Sequence, residues 1–196
     1  MQKLQKHGKE YIFPAILTVV LVLLDQITKY LADAALKGTA GIPIIKDVFE
    51  LQYLENTSAA FSLDPITLIH KIFSIQAFDN PQIFLRTKMI FFVILTMIVV
   101  CLLIWLFCKI PNNKRFLPMN ITLVFFISGA IGNCIDRIWH NYVIDFLYFK
   151  LIHFPVFNVA DIYVTLSAIA FFILFLFYYK EEDFQAVFPK KQERVS

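Results

Sequence analysis

The chain has 196 residues, 59% of them hydrophobic, with 22 phenylalanines and a mean hydropathy of +0.67. An average soluble domain is about 45–50% apolar, so this composition excludes a soluble globular protein and marks an integral membrane protein of a length that suits one helical unit. The net charge of +3 does not mark a nucleic-acid partner, because the basic residues gather at helix ends and tails rather than along one stripe.

Four segments reach the roughly 20 apolar residues that cross a bilayer, and the pattern places them at residues 11–31, 89–108, 117–138 and 159–179. The first follows Lys3, Lys6 and Lys9 and precedes Ala32-Asp33-Ala34, which imitates a secretory signal with its cleavage site. It is expected to be retained. Asp25 and Lys29 interrupt its apolar run at i,i+4 spacing, as an ion pair that neutralises itself and fixes the bundle. Cys101, Cys108 and Cys134 fall within apolar runs and read as packing residues; no disulfide framework, metal set or cofactor is implied.

Lys3, Lys6 and Lys9, then Lys109, Lys114 and Arg115, then Lys180, Lys190 and Lys191 mark both termini and the loop between the second and third spans as cytoplasmic. Arg86 and Lys88, at the outer end of the second span, run against that rule but are outnumbered. At about 1.5 Å per residue, Asp25 lies roughly 20 Å from the cytoplasmic start of its span, in the outer half. Asn133, Asp136 and Arg137 close the third span, and Asn158 and Asp161 open the fourth. Asn133 shares a helix face with Arg137, and Asn158 shares one with Asp161. Three helices therefore aim polar groups at one extracytoplasmic zone.

The outer loops carry order of their own. Residues 49–53 alternate apolar and polar, the period of a half-buried strand, and lead into Asn56 as a platform over that zone. Asp64-Pro65 is a helix start, and Ile66, Leu68, Ile69, Ile72 and Phe73 form an apolar stripe suited to a helix lying in the interface. The second outer loop, residues 139–157, is unusually apolar around one carboxylate, Asp145. The expected fold is an all-α membrane protein. It is a four-transmembrane-helix bundle with a small extracytoplasmic β platform and an interfacial helix, formed by residues 1–196 as a single domain.

Asp145 and Asp161 flank one outer turn in apolar settings. Two carboxylates forced together cannot both ionise, so the pair can act as acid and base on a single water. The same spacing also suits two isolated carboxylates that are solvated or ion-paired near a lipid surface. Five stretches then bear on the choice: Asp25-Gln26-Ile27-Thr28-Lys29; Asn56-Thr57-Ser58-Ala59-Ala60-Phe61; Gly129-Ala130-Ile131-Gly132-Asn133-Cys134-Ile135-Asp136-Arg137; Val143-Ile144-Asp145-Phe146; and Phe157-Asn158-Val159-Ala160-Asp161. In kind and order they resemble the motifs of signal peptidase II, the prolipoprotein signal peptidase family of bacteria.

The resemblance implies a single-domain membrane aspartyl endopeptidase with Asp145 and Asp161 as its catalytic dyad. It implies cleavage of prolipoproteins before a diacylglyceryl-modified cysteine, in the bacterial cytoplasmic (inner) membrane. The partners are that lipidated precursor and membrane lipid, with no nucleic acid and no obligate protein partner. Asn56, Asn133 and Arg137 are read as positioning substrate or dyad, and Asn158 as either that or helix-to-helix glue. Asp136 either anchors the third helix at the headgroups or organises the outer strands, while Gly129 and Gly132 permit close helix packing. Ser58 and Ser62 stand where the family usually has glycines, and the first outer loop, residues 63–85, is longer than usual. Two readings from other classes remain at this stage. A proton-coupled transporter would spread charges across the bilayer depth, and a membrane scaffold would need neither carboxylate.

Overall fold

The structure, a computed structural model, describes residues 2–58 and 65–189, with side chains from Tyr11 onward apart from Ala77. Residues 59–61 of the second motif, Ser62, Asp64, Lys190 and Lys191 lie outside the described residues, as do the side chains of Lys3, Lys6 and Lys9. In chain order come α1 (Gln2–Leu36), β1 (Ile42–Ile45), β2 (Phe49–Asn56), α2 (Pro65–Phe73), α3 (Pro81–Lys109), α4 (Leu117–His140), β3 (Val143–Tyr148), α5 (Val159–Ile173) and α6 (Glu181–Val187). Short 3-10 turns lie at Gln76–Asp79 and Lys150–Ile152, and a π-helical turn, Leu174–Tyr178, prolongs α5.

Among the described residues four helical stretches are long and apolar enough to cross a membrane: Tyr11–Leu36, Pro81–Lys109, Leu117–His140 and Val159–Tyr178. Burial separates their roles. Of the most apolar window of α4, 56% is buried, against 11% in each of the other three, so α4 is the central helix and the others present their flanks to lipid. The phenylalanines of the last span follow this division, with Phe172 63% and Phe177 82% exposed.

The ends of the spans differ from the sequence pattern for identifiable reasons. Helix α1 runs to Leu36 rather than stopping near residue 31, because the added turn is rich in alanine, a strong helix former. Its Ala32 and Leu36 also pack with Ile144 and Phe146 under the sheet. Helix α3 begins at Pro81 rather than near Met89. The Asn80 side chain caps it by accepting from the backbone N–H of Gln82 at 3.0 Å and of Ile83 at 3.3 Å, with proline at the first position. Arg86 and Lys88 therefore lie inside the helix, and Lys88 is buried.

The platform strand extends from Phe49 to Asn56 and is the middle of an antiparallel sheet of order β1-β2-β3. Its alternation was legible, whereas β3 lies in the stretch read as an apolar loop. Val143, Ile144, Asp145 and Phe146 are all buried, so both faces of β3 are covered and no period of two appears. Asn141, in the left-handed conformation at φ 62, ends α4 and lets the chain enter β3 within two residues. Helix α2 occupies the expected place; Ile66 is buried while Leu68, Ile72 and Phe73 are exposed. Helix α6 was not foreseen. It is tied down by Arg115, which donates from Nη2 to Asp183 at 2.7 Å, and by Val187 in the cluster around Phe116 and Met119.

Helices α4 and α5 approach closely at Gly129 and Gly132. A Cβ on Gly129 would lie 2.5 Å from the carbonyl oxygen of Ala160, and one on Gly132 would lie 2.5 Å from Asp25 Oδ2. Backbone cannot yield as a flexible side chain can. Gly129→Ala is expected to destabilise the protein by about 1–3 kcal/mol, the usual cost of overpacking, read as a lower unfolding temperature in detergent against wild type.

Candidate active site

Asp145 stands on β3 opposite Leu54 of β2, and Asn56 lies two residues further along β2, on the same face. This diagonal lets Asn56 Nδ2 donate to Asp145 Oδ2 at 2.8 Å, while Asn56 Oδ1 accepts from the backbone N–H of Ser58 at 2.8 Å. The other oxygen, Asp145 Oδ1, accepts from Asn158 Nδ2 at 2.7 Å. Asp145 is 1% exposed.

Asp161 is placed by the start of α5. Asn158 is the N-cap and forms a reciprocal capping box: its side chain accepts from the Asp161 N–H at 2.9 Å, and Asp161 Oδ2 accepts from the Asn158 N–H at 3.1 Å. Asp161 Oδ1 accepts from Asn133 Nδ2 of α4 at 2.7 Å. Asn133 Oδ1 in turn accepts from Asn158 Nδ2 at 3.1 Å, so the amides of Asn158 and Asn133 link the two carboxylates. Arg137, one turn after Asn133, donates to the Asn133 carbonyl at 3.2 Å and to the Ser58 carbonyl at 3.4 Å and lies over the Phe92 ring.

Both aspartates, Asn56, Asn133 and Arg137 line one cavity of about 450 Å³. Its remaining wall is mainly apolar, from Leu54, Phe154, Phe157, Ile162, Val164 and Leu166. Asn158 lies behind this surface, fully buried. Burial pushes the Asp145 carboxyl up to about 7, and the nearby charge of Asp161 pushes the same way, against the donors Asn56 and Asn158 and the charge of Lys29. Among the described residues no three His, Cys, Asp or Glu side chains gather in a set that could hold a metal.

Behind the cavity lies a second polar layer. Lys29 Nζ sits 2.9 Å from Asp25 and 3.1 Å from Asp136, with all three side chains at most 2% exposed. Asp136 therefore faces inward rather than toward headgroups, and its Oδ2 accepts from the backbone N–H of Ile144 in β3 at 3.0 Å. Gln26, quoted in the first motif but given no role, donates to Asp136 at 3.0 Å and to the Gly132 carbonyl at 3.2 Å. Its signal was adjacency to Asp25 inside an apolar helix. Among the described residues the buried charged side chains, Asp25, Lys29, Lys88, Asp136 and Asp145, lie toward the sheet end, not through the bilayer depth as a proton relay requires.

Residues 17–177 match the family model described as signal peptidase (SPase) II. A lipoprotein signal peptidase of Caldanaerobacter subterraneus subsp. tengcongensis is 37% identical over 163 residues, 83% of this chain and 94% of that one. One of Clostridium tetani is 34% identical over 173 residues, 87% of this chain and 94% of that one. Two solved structures of bacterial membrane enzymes share the fold, each with a TM-score of 0.64. The first is 24% identical and covers 94% of both chains; the second is 27% identical and covers 84% of this chain and 92% of its own.

The raised Asp145 carboxyl has a consequence for stability. The fold holds its proton up to about pH 7, whereas an ordinary aspartate gives it up near 3.8, so between those values the folded state binds more protons than the unfolded chain. Asp145 therefore costs stability progressively as pH rises through that window. The unfolding temperature of wild type is expected to fall more steeply from pH 5 to pH 8 than that of Asp145→Asn. Parallel slopes in a thermal melt series would contradict the shift.

Proposed function

The chain belongs to the signal peptidase II family, and we propose that Asp145 and Asp161 are the aspartyl pair with which it cuts. It is an aspartic endopeptidase that removes signal peptides from prolipoproteins, in a bacterial multi-pass membrane protein. The observation that carries the dyad assignment is the cavity. A buried carboxylate from β3 and a half-buried one from α5 open onto it, linked by amides, the first of them protonated up to about pH 7.

In this reading Asp145 holds a proton and serves as the acid, and Asp161 serves as the base. Water in the cavity attacks the scissile carbonyl carbon; Asp161 takes the water proton as the C–O bond forms, while Asp145 gives its proton to the carbonyl oxygen. The resulting diol collapses as the C–N bond breaks, the amine takes the proton from Asp161, and Asp145 recovers its own from a hydroxyl. No covalent intermediate forms. Asn56, Asn133 and Asn158 hold the carboxylates by donating to them, and Arg137 braces the segment at Ser58 against α4.

We read residues 1–196 as one peptidase domain with the sheet end extracytoplasmic. The support is the basic set of Lys109 at the end of α3 and Lys114 and Arg115 in the loop between α3 and α4, opposite the sheet, with Lys180 near the same end. The preferred substrate is a precursor whose cysteine carries diacylglyceryl. The dyad sits at the end of its spans beside an apolar wall, so a lipid anchor fixes the cleavage site at that depth and raises the fraction of productive encounters.

Asp145→Asn and Asp161→Asn are each expected to lose all measurable cleavage while still inserting and purifying, because an amide cannot exchange the proton; near wild-type turnover by either would end the assignment. In a side-by-side time course, the diacylglyceryl-modified precursor is expected to be cut on the order of tenfold faster or more than the unmodified one. Equal rates would remove lipid recognition from the mechanism. Turnover is also expected to fall as pH rises through about 7, where Asp145 loses its proton and the pair loses its acid. A profile flat to pH 9 would refute Asp145 as the acid.

A further inference from the structure

We infer that Lys29 is a positioning residue for both aspartates, acting through three arms that each end beside a member of the pair; this rests on the dyad reading above. Its ammonium has three donor directions, and three acceptors surround it: Asp25 Oδ2 at 2.9 Å, Asp136 Oδ2 at 3.1 Å and Asn133 Oδ1 at 2.9 Å. Lys29 itself is 1% exposed.

Each arm continues to the site. Asp25 Oδ1 accepts from the backbone N–H of Ala160 at 2.9 Å, the residue immediately before Asp161. That N–H lies in the first turn of α5, where no helical partner exists for it. Asp136 Oδ2 accepts from the backbone N–H of Ile144 at 3.0 Å, the residue immediately before Asp145. Both carboxylates of the cluster therefore grip the main chain one residue upstream of a dyad member, one on the last span and one on the sheet. The third arm fixes an amide. Lys29 Nζ and Asn158 Nδ2 both donate to Asn133 Oδ1, which leaves Asn133 Nδ2 only the opposite direction, toward Asp161 at 2.7 Å.

A lysine that merely glued helices together would need its two carboxylates and nothing more. Here its third hydrogen bond goes to the side chain that orients Asp161, and its ion-pair partners hold the strand and the helix that present the pair. Reacting groups displaced by about 1 Å can lose on the order of 100-fold in rate. A change at Lys29 is thus expected to act on turnover more than on substrate binding.

The test compares Lys29→Met with a neutral variant carrying Asp25→Asn, Lys29→Met and Asp136→Asn, both purified in detergent beside wild type, with unfolding temperature, kcat and KM measured on a diacylglyceryl-modified precursor. Lys29→Met leaves two buried carboxylates uncompensated and is expected to be less stable, with kcat reduced at least about tenfold and KM within about twofold. The neutral variant regains stability because no unpaired charge remains, and its side-chain oxygens still accept from Ala160 and Ile144. Its kcat is expected to stay at least about tenfold low, since Asn133 keeps only the longer of the two hydrogen bonds that fix its oxygen. Adding Asn133→Ala to it should lower kcat by less than the same change does in wild type, because that arm is already weakened. Recovery of kcat together with stability in the neutral variant would make Lys29 a structural residue only, as would an additive loss with Asn133→Ala. Either outcome beside an inactive Asp145→Asn leaves the dyad standing, whereas an active Asp145→Asn sinks the dyad itself.

Discussion

The structure depends on a buried charge cluster, Lys29 between Asp25 and Asp136, in a bundle built mainly of apolar side chains. Unpaired, any of these charges would cost several kcal/mol in such a setting. Pairing removes most of that cost only at close range and with the remaining lone pairs satisfied. Gln26 and the backbone N–H groups of Ala160 and Ile144 supply the further donors. The cluster thereby fixes α1, α4, α5 and β3 relative to one another, because each contributes a group that has no alternative partner in lipid. Gly132 belongs to the same constraint, since a side chain there would occupy the space of the Asp25 carboxylate.

The polar groups of the site built on this cluster are mostly amides and carboxylates. Three asparagines from β2, α4 and α5 donate to the aspartates, and each spends its oxygen on another donor: Ser58 for Asn56, Lys29 for Asn133 and the Asp161 N–H for Asn158. Such reciprocity fixes which way each amide points. It also separates the two carboxylates by environment. Asp161 is part of a helix cap, whereas Asp145 is enclosed by strand and helix and retains its proton up to about pH 7, an arrangement that costs stability and supplies an acid.

The fold around the site is economical for a membrane enzyme. One central helix, α4, supplies the glycines for close approach, the Asn133 amide and the Asp136 and Arg137 charges, while the other spans show lipid most of their surface. The sheet closes the end of the bundle and brings β3 against β2, so that Asn56 and Asp145, far apart in the chain, become diagonal neighbours.

Much of this was legible in the sequence. The four spans, the alternation in β2, the stripe of α2 and the gathering of polar residues toward one end follow from local periodicity and from the rarity of charge in apolar runs, both properties of neighbouring residues. The spacing of the two aspartates alone suits a catalytic pair and two separate surface carboxylates alike; the resemblance of the five motifs to a known family favours the pair. Strand β3 was hidden because burial on both faces erases alternation, and the early start of α3 because its cap lies outside the apolar run. The pairing of Lys29 with Asp136 and Asn133 as well as Asp25, and the grip of Asp25 and Asp136 on the backbone before each aspartate, were decided only by the tertiary structure. Sequence spacing reports which residues share a face of one helix. Which faces of different helices meet is set by how their side chains pack and by where each buried charge finds its partner.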